Sequence, residues 1–458
     1  TDFSLADLDQ ETAGFIVGKD AYRDPVLRRQ NLNPEAFRKG RAMRLVSRWS
    51  RQAANGGILE WAPYLRSSNM EFLQHFLPGT PLERNGQDSA GIQLSWSDES
   101  GLSAGADLEW AEIYLEEFQA GPVESGSAFL VETRPQGWHY DYGVDALSVA
   151  AWLQKSININ NNQSVIFGLR AEYDHFEYRN HLRDGNTRDD GTECGFGGCL
   201  YTRPANRSDG YRNFAPELAW RWDADDGRRA SVRVTRGFRP PQTTELYRLQ
   251  SGQSIAELDS VSLDALEASY GADGPGWSFG ISLYGMRKKH FIFRDADGFN
   301  VSDGRSRHVG LEFELDRDLS DTLHLGFNLS RAIHEYDFDR IAARGETILK
   351  GNRMDTAPGS LGALRLRWDP DSRRTVEVEW VYTGRYFLDA ANLHEYGGHG
   401  LFNLRATHRL PGGRHELSMK LTNLLDESYA ERADYAFGNY RYFPGAGRSV
   451  FLGWAWRR

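Results

Sequence analysis

The last stretch of the chain, RSVFLGWAWRR (residues 448–458), separates into two sets when read in steps of two. Val450, Leu452, Trp454 and Trp456 fall on one side, and Ser449, Phe451, Gly453 and Ala455 on the other. Side chains of a β-strand alternate between its faces, so this is the pattern of a strand with one large apolar face and one of mostly small groups. The same period recurs upstream. Leu323, Leu325, Phe327 and Leu329 alternate with His324, Gly326, Asn328 and Ser330, while Leu364, Leu366 and Trp368 alternate with Ala363, Arg365 and Arg367. Val376, Val378, Trp380 and Tyr382 are set against Glu377, Glu379 and Val381. Val309, Leu311, Phe313 and Leu315 are set against Gly310, Glu312 and Glu314.

Alternation alone suits a soluble sheet as well as a membrane barrel, and the connections decide between them. Joins are alternately short and long. PGGRH, DPDSRR, DRDLSD, GADGPG, DADDG, NINNN, SDESG and QAANGG are short. FLDAANLHEYGG, RDADGFNVSDGRS and the stretches 336–358, 237–262, 180–210, 121–137 and 69–88 are long. Trimmed turns at one end and large loops at the other are the signature of an outer-membrane barrel, with strands of about 9–11 residues, apolar side chains outward and polar ones toward the lumen. Trp220, Trp222, Trp368, Trp454 and Trp456 stand at strand ends, where interfacial girdles collect aromatics. The expected fold is all-β: a transmembrane antiparallel β-barrel of about 18 strands, with long extracellular loops and short periplasmic turns.

Composition agrees. Of 458 residues 40% are hydrophobic and 26% charged, with 47 Gly, 13 Trp, 20 Tyr and 24 Phe, yet no segment approaches the roughly 18 consecutive apolar residues of a membrane helix. The opening TDFSLADLDQ has no basic segment followed by an apolar one, so it does not read as a signal peptide. The net charge of −10, with basic residues dispersed among acids, argues against nucleic acid as a partner. Cys194 and Cys199 in ECGFGGCLY lack the further ligands of a zinc site, leaving a disulfide-closed loop of an oxidising compartment or a pair of free thiols.

Several segments resemble one family. LTNLLDESYAERADYAFGNYRYFPGAGRSVFLGWAW (421–456) is similar to the C-terminal signature of TonB-dependent outer-membrane receptors: Asn-Leu-Leu-Asp-x-x-Tyr, a tyrosine-rich loop, then Pro-Gly-x-x-Arg before a last strand ending in an aromatic. RGFRPPQTTELYRLQ (236–250), SRHVGLEFEL and GNRMDTAPGSLGALRLRW resemble further segments of the family. The resemblance implies a barrel of about 22 strands filled by a plug, a TonB-contacting box, and active uptake of scarce nutrients. Residues 1–458 then read as the C-terminal β-barrel portion, with the plug and first hairpins apparently missing, and Arg457 and Arg458 follow the usual terminal aromatic.

On that resemblance the partners are the TonB complex, outer-membrane lipid and an iron–siderophore or similar small ligand. The place is the outer membrane of a Gram-negative bacterium and the state a monomer. Haem, cobalamin or an oligosaccharide are alternative ligands, and a passive porin-like channel is the alternative function. Residues 236–253 hold no histidine where haem receptors of the family carry one.

No cofactor or catalytic residue is expected. His394 and His399 are five apart, not four as in a zincin helix, and DADGFNVSDG lacks the Gly and Glu of an EF-hand, leaving a polar turn or a loose calcium loop. Candidate ligand contacts are loop arginines, which clamp anionic oxygens, and tyrosines, which offer a flat face with a polar tip. They are Tyr201, Arg203, Arg239, Tyr247, Arg248, Tyr386, His394, Tyr396, Tyr435, Tyr440 and Tyr442.

Overall fold

The computed structural model describes residues 1–53, 56–124 and 126–456. Arg457, Arg458 and the centre of the QAANGG turn lie outside the described residues. Eighteen strand positions form one antiparallel wall. They are β1 (Asp2–Glu11), β2 (Phe37–Val46, resumed at Trp49–Gln52), β3 (Ile58–Leu73), β4 (Leu82–Ser97), β5 (Leu102–Gln119) and β6 (Gly137–Asn160). Next come β7 (Gln163–Asn180), β8 (Arg207–Asp223), β9 (Arg228–Arg239), β10 (Val261–Gly274), β11 (Trp277–Arg294) and β12 (Asn300–Ser320). The wall ends with β13 (Leu323–Tyr336), β14 (Ser360–Asp371), β15 (Arg374–Thr383), β16 (His399–Arg409), β17 (His415–Thr422) and β18 (Ser449–Trp456). Each strand pairs with the next in sequence, the arrangement that needs only hairpin connections.

Register keeps the two faces apart. Val450, Leu452 and Trp454 lie opposite Leu421, Met419 and Leu417, while Gly453 and Ala455 lie opposite Ser418 and Glu416. Across β13, β14 and β15 the apolar row Phe327–Leu364–Trp380 runs beside the polar row Gly326–Arg365–Glu379. Arg405 on β16 then bonds Glu377 at 2.7 Å and Glu379 at 3.2 Å, so the inward charges neutralise one another across strands. On β18 Leu452, opposite Met419, is 80% exposed.

The short turns and long loops segregate as expected, with two corrections. The expected long join RDADGFNVSDGRS is mostly strand: β11 runs to Arg294 and β12 restarts at Asn300, with register shifts near Phe291 that absorb the irregular spacing. Likewise β3 and β4 extend to Leu73 and from Leu82, shrinking the join at 69–88. Most strands exceed the expected 9–11 residues, up to 24 in β6, because they continue past the membrane-spanning length to carry the loops, while β17 and β18 have 8 each. Gly227 and Gly276 take positive φ in their two-strand turns, a conformation open to glycine at little cost.

Candidate ligand-binding site

The long loops gather into three packed clusters at one end of the wall, one of them around Tyr336, Phe338 and Ile348, and the eleven candidates divide between the other two. The first cluster joins the loops 120–136, 181–206 and 240–260. Tyr201–Thr202 pairs with Leu249–Gln250, and Leu200 N–H donates to the Thr133 carbonyl at 2.9 Å, so three separate loops share backbone bonds. Cys194 and Cys199 form a disulfide within the second of these loops and pack with Tyr140, Tyr142, Tyr178, Tyr201 and Tyr247.

The segment RGFRPPQTTELYRLQ acquires a role for nearly every polar residue. Pro240 and Pro241 end β9, since proline supplies no ladder donor. A short helix, Thr243–Tyr247, follows, and Glu245 accepts from the Gln242 N–H at 2.7 Å and from both terminal nitrogens of Arg239 at 2.8 and 3.0 Å. Tyr247 stacks on Tyr178 with centroids 4.3 Å apart and donates to Asp209 at 2.9 Å.

Arg248 reaches into the loop-side ends of β4 and β5. It bonds Gln74 at 3.0 Å, Glu83 at 3.1 Å and Glu117. Glu117, buried, also meets His139 Nδ1 at 3.0 Å and Arg134 at 3.3 Å, and Gln74 donates to both acids at 2.8 and 3.1 Å. Burial pushes the Glu83 carboxyl above its ordinary range against the pull of Arg248. Burial acts the same way on Glu117, but Arg248 and the His139 hydrogen bond outweigh it and hold that carboxyl well below. Two buried acids thus share one guanidinium, and if Arg248 leaves, Glu83 loses its counter-charge and Glu117 is left with the longer pair to Arg134.

Arg203 is buried and donates to the carbonyls of Arg183 at 2.5 Å, Thr187 at 2.8 Å, Arg188 at 3.2 Å and His139 at 3.3 Å. Its guanidinium is used up in holding the disulfide loop to the barrel rim. Tyr201 is also buried, with its ring stacked on His139 at 4.5 Å.

The second cluster joins the loops 12–36, 384–398 and 423–448. Ile16–Val17 pairs with Arg441–Tyr442, Tyr386–Phe387 with Glu395–Tyr396, and Ala430–Ala436 with Asn439–Pro444. Tyr386, Tyr396 and Tyr442 are buried, and their hydroxyls accept the backbone N–H groups of Ala433 at 3.0 Å, Ala430 at 3.0 Å and Asp20 at 3.4 Å. The Asn423–Tyr429 segment ties this cluster to β18. Asn423 bonds the Glu427 backbone at both ends of its amide, and Asp426 accepts from the Arg448 N–H at 2.9 Å.

Three candidates in this cluster keep partly open faces. The His394 ring lies flat on Tyr435 with centroids 3.5 Å apart, and Tyr440 stands edge-on to both at 5.1 and 5.2 Å. His399 lies elsewhere, against Tyr429 at 4.6 Å and the Tyr396 hydroxyl at 3.0 Å. In the DADGFNVSDG segment, Arg340 reaches Asp295 at 3.6 Å and Asp303 at 3.0 Å. Among the described residues no group of three or more His, Cys, Asp or Glu is placed to hold a metal.

Sequence reading did not find Gln74, Glu83, Glu117, Arg134 and His139. Glu83 and Glu117 face each other on paired strands, but each alone reads as an ordinary inward polar residue.

The family model described as TonB dependent receptor-like, beta-barrel matches residues 17–424. The chain belongs to this TonB-dependent receptor family. Among solved structures, the siderophore receptor PiuA from Acinetobacter baumannii has a TM-score of 0.77 at 12% identity, covering 99% of this chain and 71% of that one. The unliganded ferric citrate transporter FecA has a TM-score of 0.76 at 15% identity, covering 99% and 66%. The copper transporter OprC has a TM-score of 0.68 at 14% identity, covering 92% and 67%. At these identities the likeness shows the TonB-dependent barrel fold alone, and the chain spans about two thirds of each structure's length. No curated protein sequence matches.

Proposed function

We propose that the chain is the barrel of an outer-membrane active transporter of a Gram-negative bacterium. It takes up a scarce ligand, a ferric siderophore, as a monomer, with energy delivered by the TonB complex acting on a plug. No catalytic step is assigned to it. The observation that carries this reading is the shelf of His394, Tyr435 and Tyr440: stacked rings with polar edges at the loop end of a family barrel. Flat rings with polar tips suit the aromatic, oxygen-rich surface of an iron chelate. Solved relatives named for siderophore and ferric citrate support the ligand class.

The candidates share this role unequally. The shelf makes the direct contacts, Tyr386, Tyr396 and Tyr442 hold the loops that present it, and Tyr201, Arg203, Arg239, Tyr247 and Arg248 hold the other loop cluster. Uptake of radioiron as ferric catecholate, ferric hydroxamate and ferric citrate, in cells with and without TonB, tests the reading. TonB-dependent uptake of one chelate is expected. A large steady conductance of the full-length protein in planar bilayers, with no energised uptake, would instead establish a passive channel.

A further inference from the structure

The apolar outward band ends differently on two sides of the wall. Over β4 to β7 the outward rows pass from Ala90, Trp110 and Leu147 to the acids Asp88, Glu112 and Asp145. Over β9 to β12 they pass from Val234, Leu266 and Val309 to Arg236, Arg287 and Arg307, with Lys289 and Arg305 one step further toward the loops. These five cations are exposed, in a chain whose net charge is −10.

Only part of this charge is neutralised internally. Arg236 bonds Asp264 at 2.6 Å, Lys289 stands 3.7 Å from the same acid, and Arg307 bonds Glu335 at 3.0 Å. Among the described residues Arg287, set between Asp264 and Arg307 in register, has no ion-pair partner. Five cations against two acids leave a positive row on the outer surface. An open groove of about 710 Å³ runs from Arg236, Asp264, Arg287 and Arg307 at its charged end, past Glu217, to an apolar part lined by Leu218, Val234, Leu266 and Val309. Gly285 forms its floor, where a side chain would meet nothing within 4 Å.

We infer that this face binds a phosphorylated lipid of the outer leaflet, with the headgroup phosphate between Arg236, Arg287 and Arg307 and an acyl chain along the groove over Gly285. Guanidinium forks match phosphate oxygens two at a time, and the groove offers the chain an apolar bed one residue pair below the charges. On the margin over β4 to β7 Asp145 is paired with Arg179 at 2.7 Å, and Asp88 and Glu112 remain to repel the same headgroup, so a bound lipid is confined to one side of the barrel. This inference rests on the outer-membrane reading.

The test uses the full-length protein in detergent, with hexa-acylated lipid A bisphosphate as the probe and native mass spectrometry as the readout. Resistance of the folded barrel to SDS at room temperature, checked first, reports on the outer-membrane reading separately from the lipid site. At least tenfold weaker lipid A binding is expected for Arg236→Ala/Arg287→Ala/Arg307→Ala, and no loss for Asp88→Ala/Glu112→Ala. Dephosphorylated lipid A should bind the unaltered protein at least tenfold more weakly, an arm that stands even where the triple variant does not fold. Equal binding of the dephosphorylated lipid, or of the folded triple variant, would overturn the inference. Displacement of lipid A by millimolar inorganic phosphate would also overturn it, by making the site one for the free anion.

Discussion

The two loop clusters that hold the candidates are built from similar rings but closed in different ways. The first, around Tyr201 and Tyr247, is locked by ions: Arg248 between two buried acids, and Arg203 inside a ring of carbonyls. The second, around Tyr386, Tyr396 and Tyr442, is locked by hydroxyls that each accept a backbone N–H, which leaves His394, Tyr435 and Tyr440 partly open. An arginine held by buried partners cannot also clamp a ligand without first paying to be freed. The comparison therefore assigns rigidity to the first cluster and contact with the ligand to the second.

The largest effect should come from Arg248→Ala. Removing one member of a buried ion set costs about 3–5 kcal/mol because the partners stay charged and dry. Hydrogen exchange over residues 74–83 and 240–260 should lose protection together while residues 430–442 keep theirs. Equal loosening of both clusters would erase the distinction between them.

Next is Arg203→Ala, which strands several buried carbonyls at about 1–3 kcal/mol for each left unpaired. Cleavage of the 181–206 loop by an added protease should accelerate, with the disulfide intact. A smaller effect is expected from Arg239→Ala. Its paired Glu245 is partly exposed and such ion pairs contribute roughly 0.2–1 kcal/mol, so the 243–247 helix should fray only slightly in exchange measurements.

Acid should sharpen the same contrast. The folded Glu117 carboxyl lies below its ordinary 4.5, so its stabilising share is complete above that value and is lost as the pH falls through the folded one. Glu83 is displaced upward, and its own preference for folding fades as the pH rises through its folded value. Exchange protection at 243–250 should thus persist from pH 7 to 5 and fail only well below 4.5. Loss of protection already at pH 6 would show that Glu117 is not held as the geometry implies.

Much of the fold was legible because a barrel strand repeats a local rule. The alternation in SVFLGWAW, and turns such as DADDG with Gly227 at positive φ, are decided by adjacent residues. Strand ends were less legible, since Phe291 and Asn300 continue the ladder through bulges that have no period-2 signature. The roles of single residues were least legible. Arg203 looks like a ligand clamp until the carbonyls of Arg183 and Thr187 are found around it, and the partners of Arg248 lie as much as 174 residues away. Such contacts depend on how loops from distant hairpins meet, which local pattern does not encode.

The central claim is that the second cluster faces a TonB-driven cargo while the first only holds shape. The most direct measurement is energised uptake of whichever ferric chelate among catecholate, hydroxamate and citrate the unaltered full-length receptor transports, compared between Tyr435→Ala/Tyr440→Ala and Tyr247→Phe. The account predicts at least a tenfold loss of uptake for the first variant, with surface abundance unchanged, and near-normal uptake for the second. Normal uptake by the double variant, or uptake of the unaltered protein that persists without TonB, would contradict it.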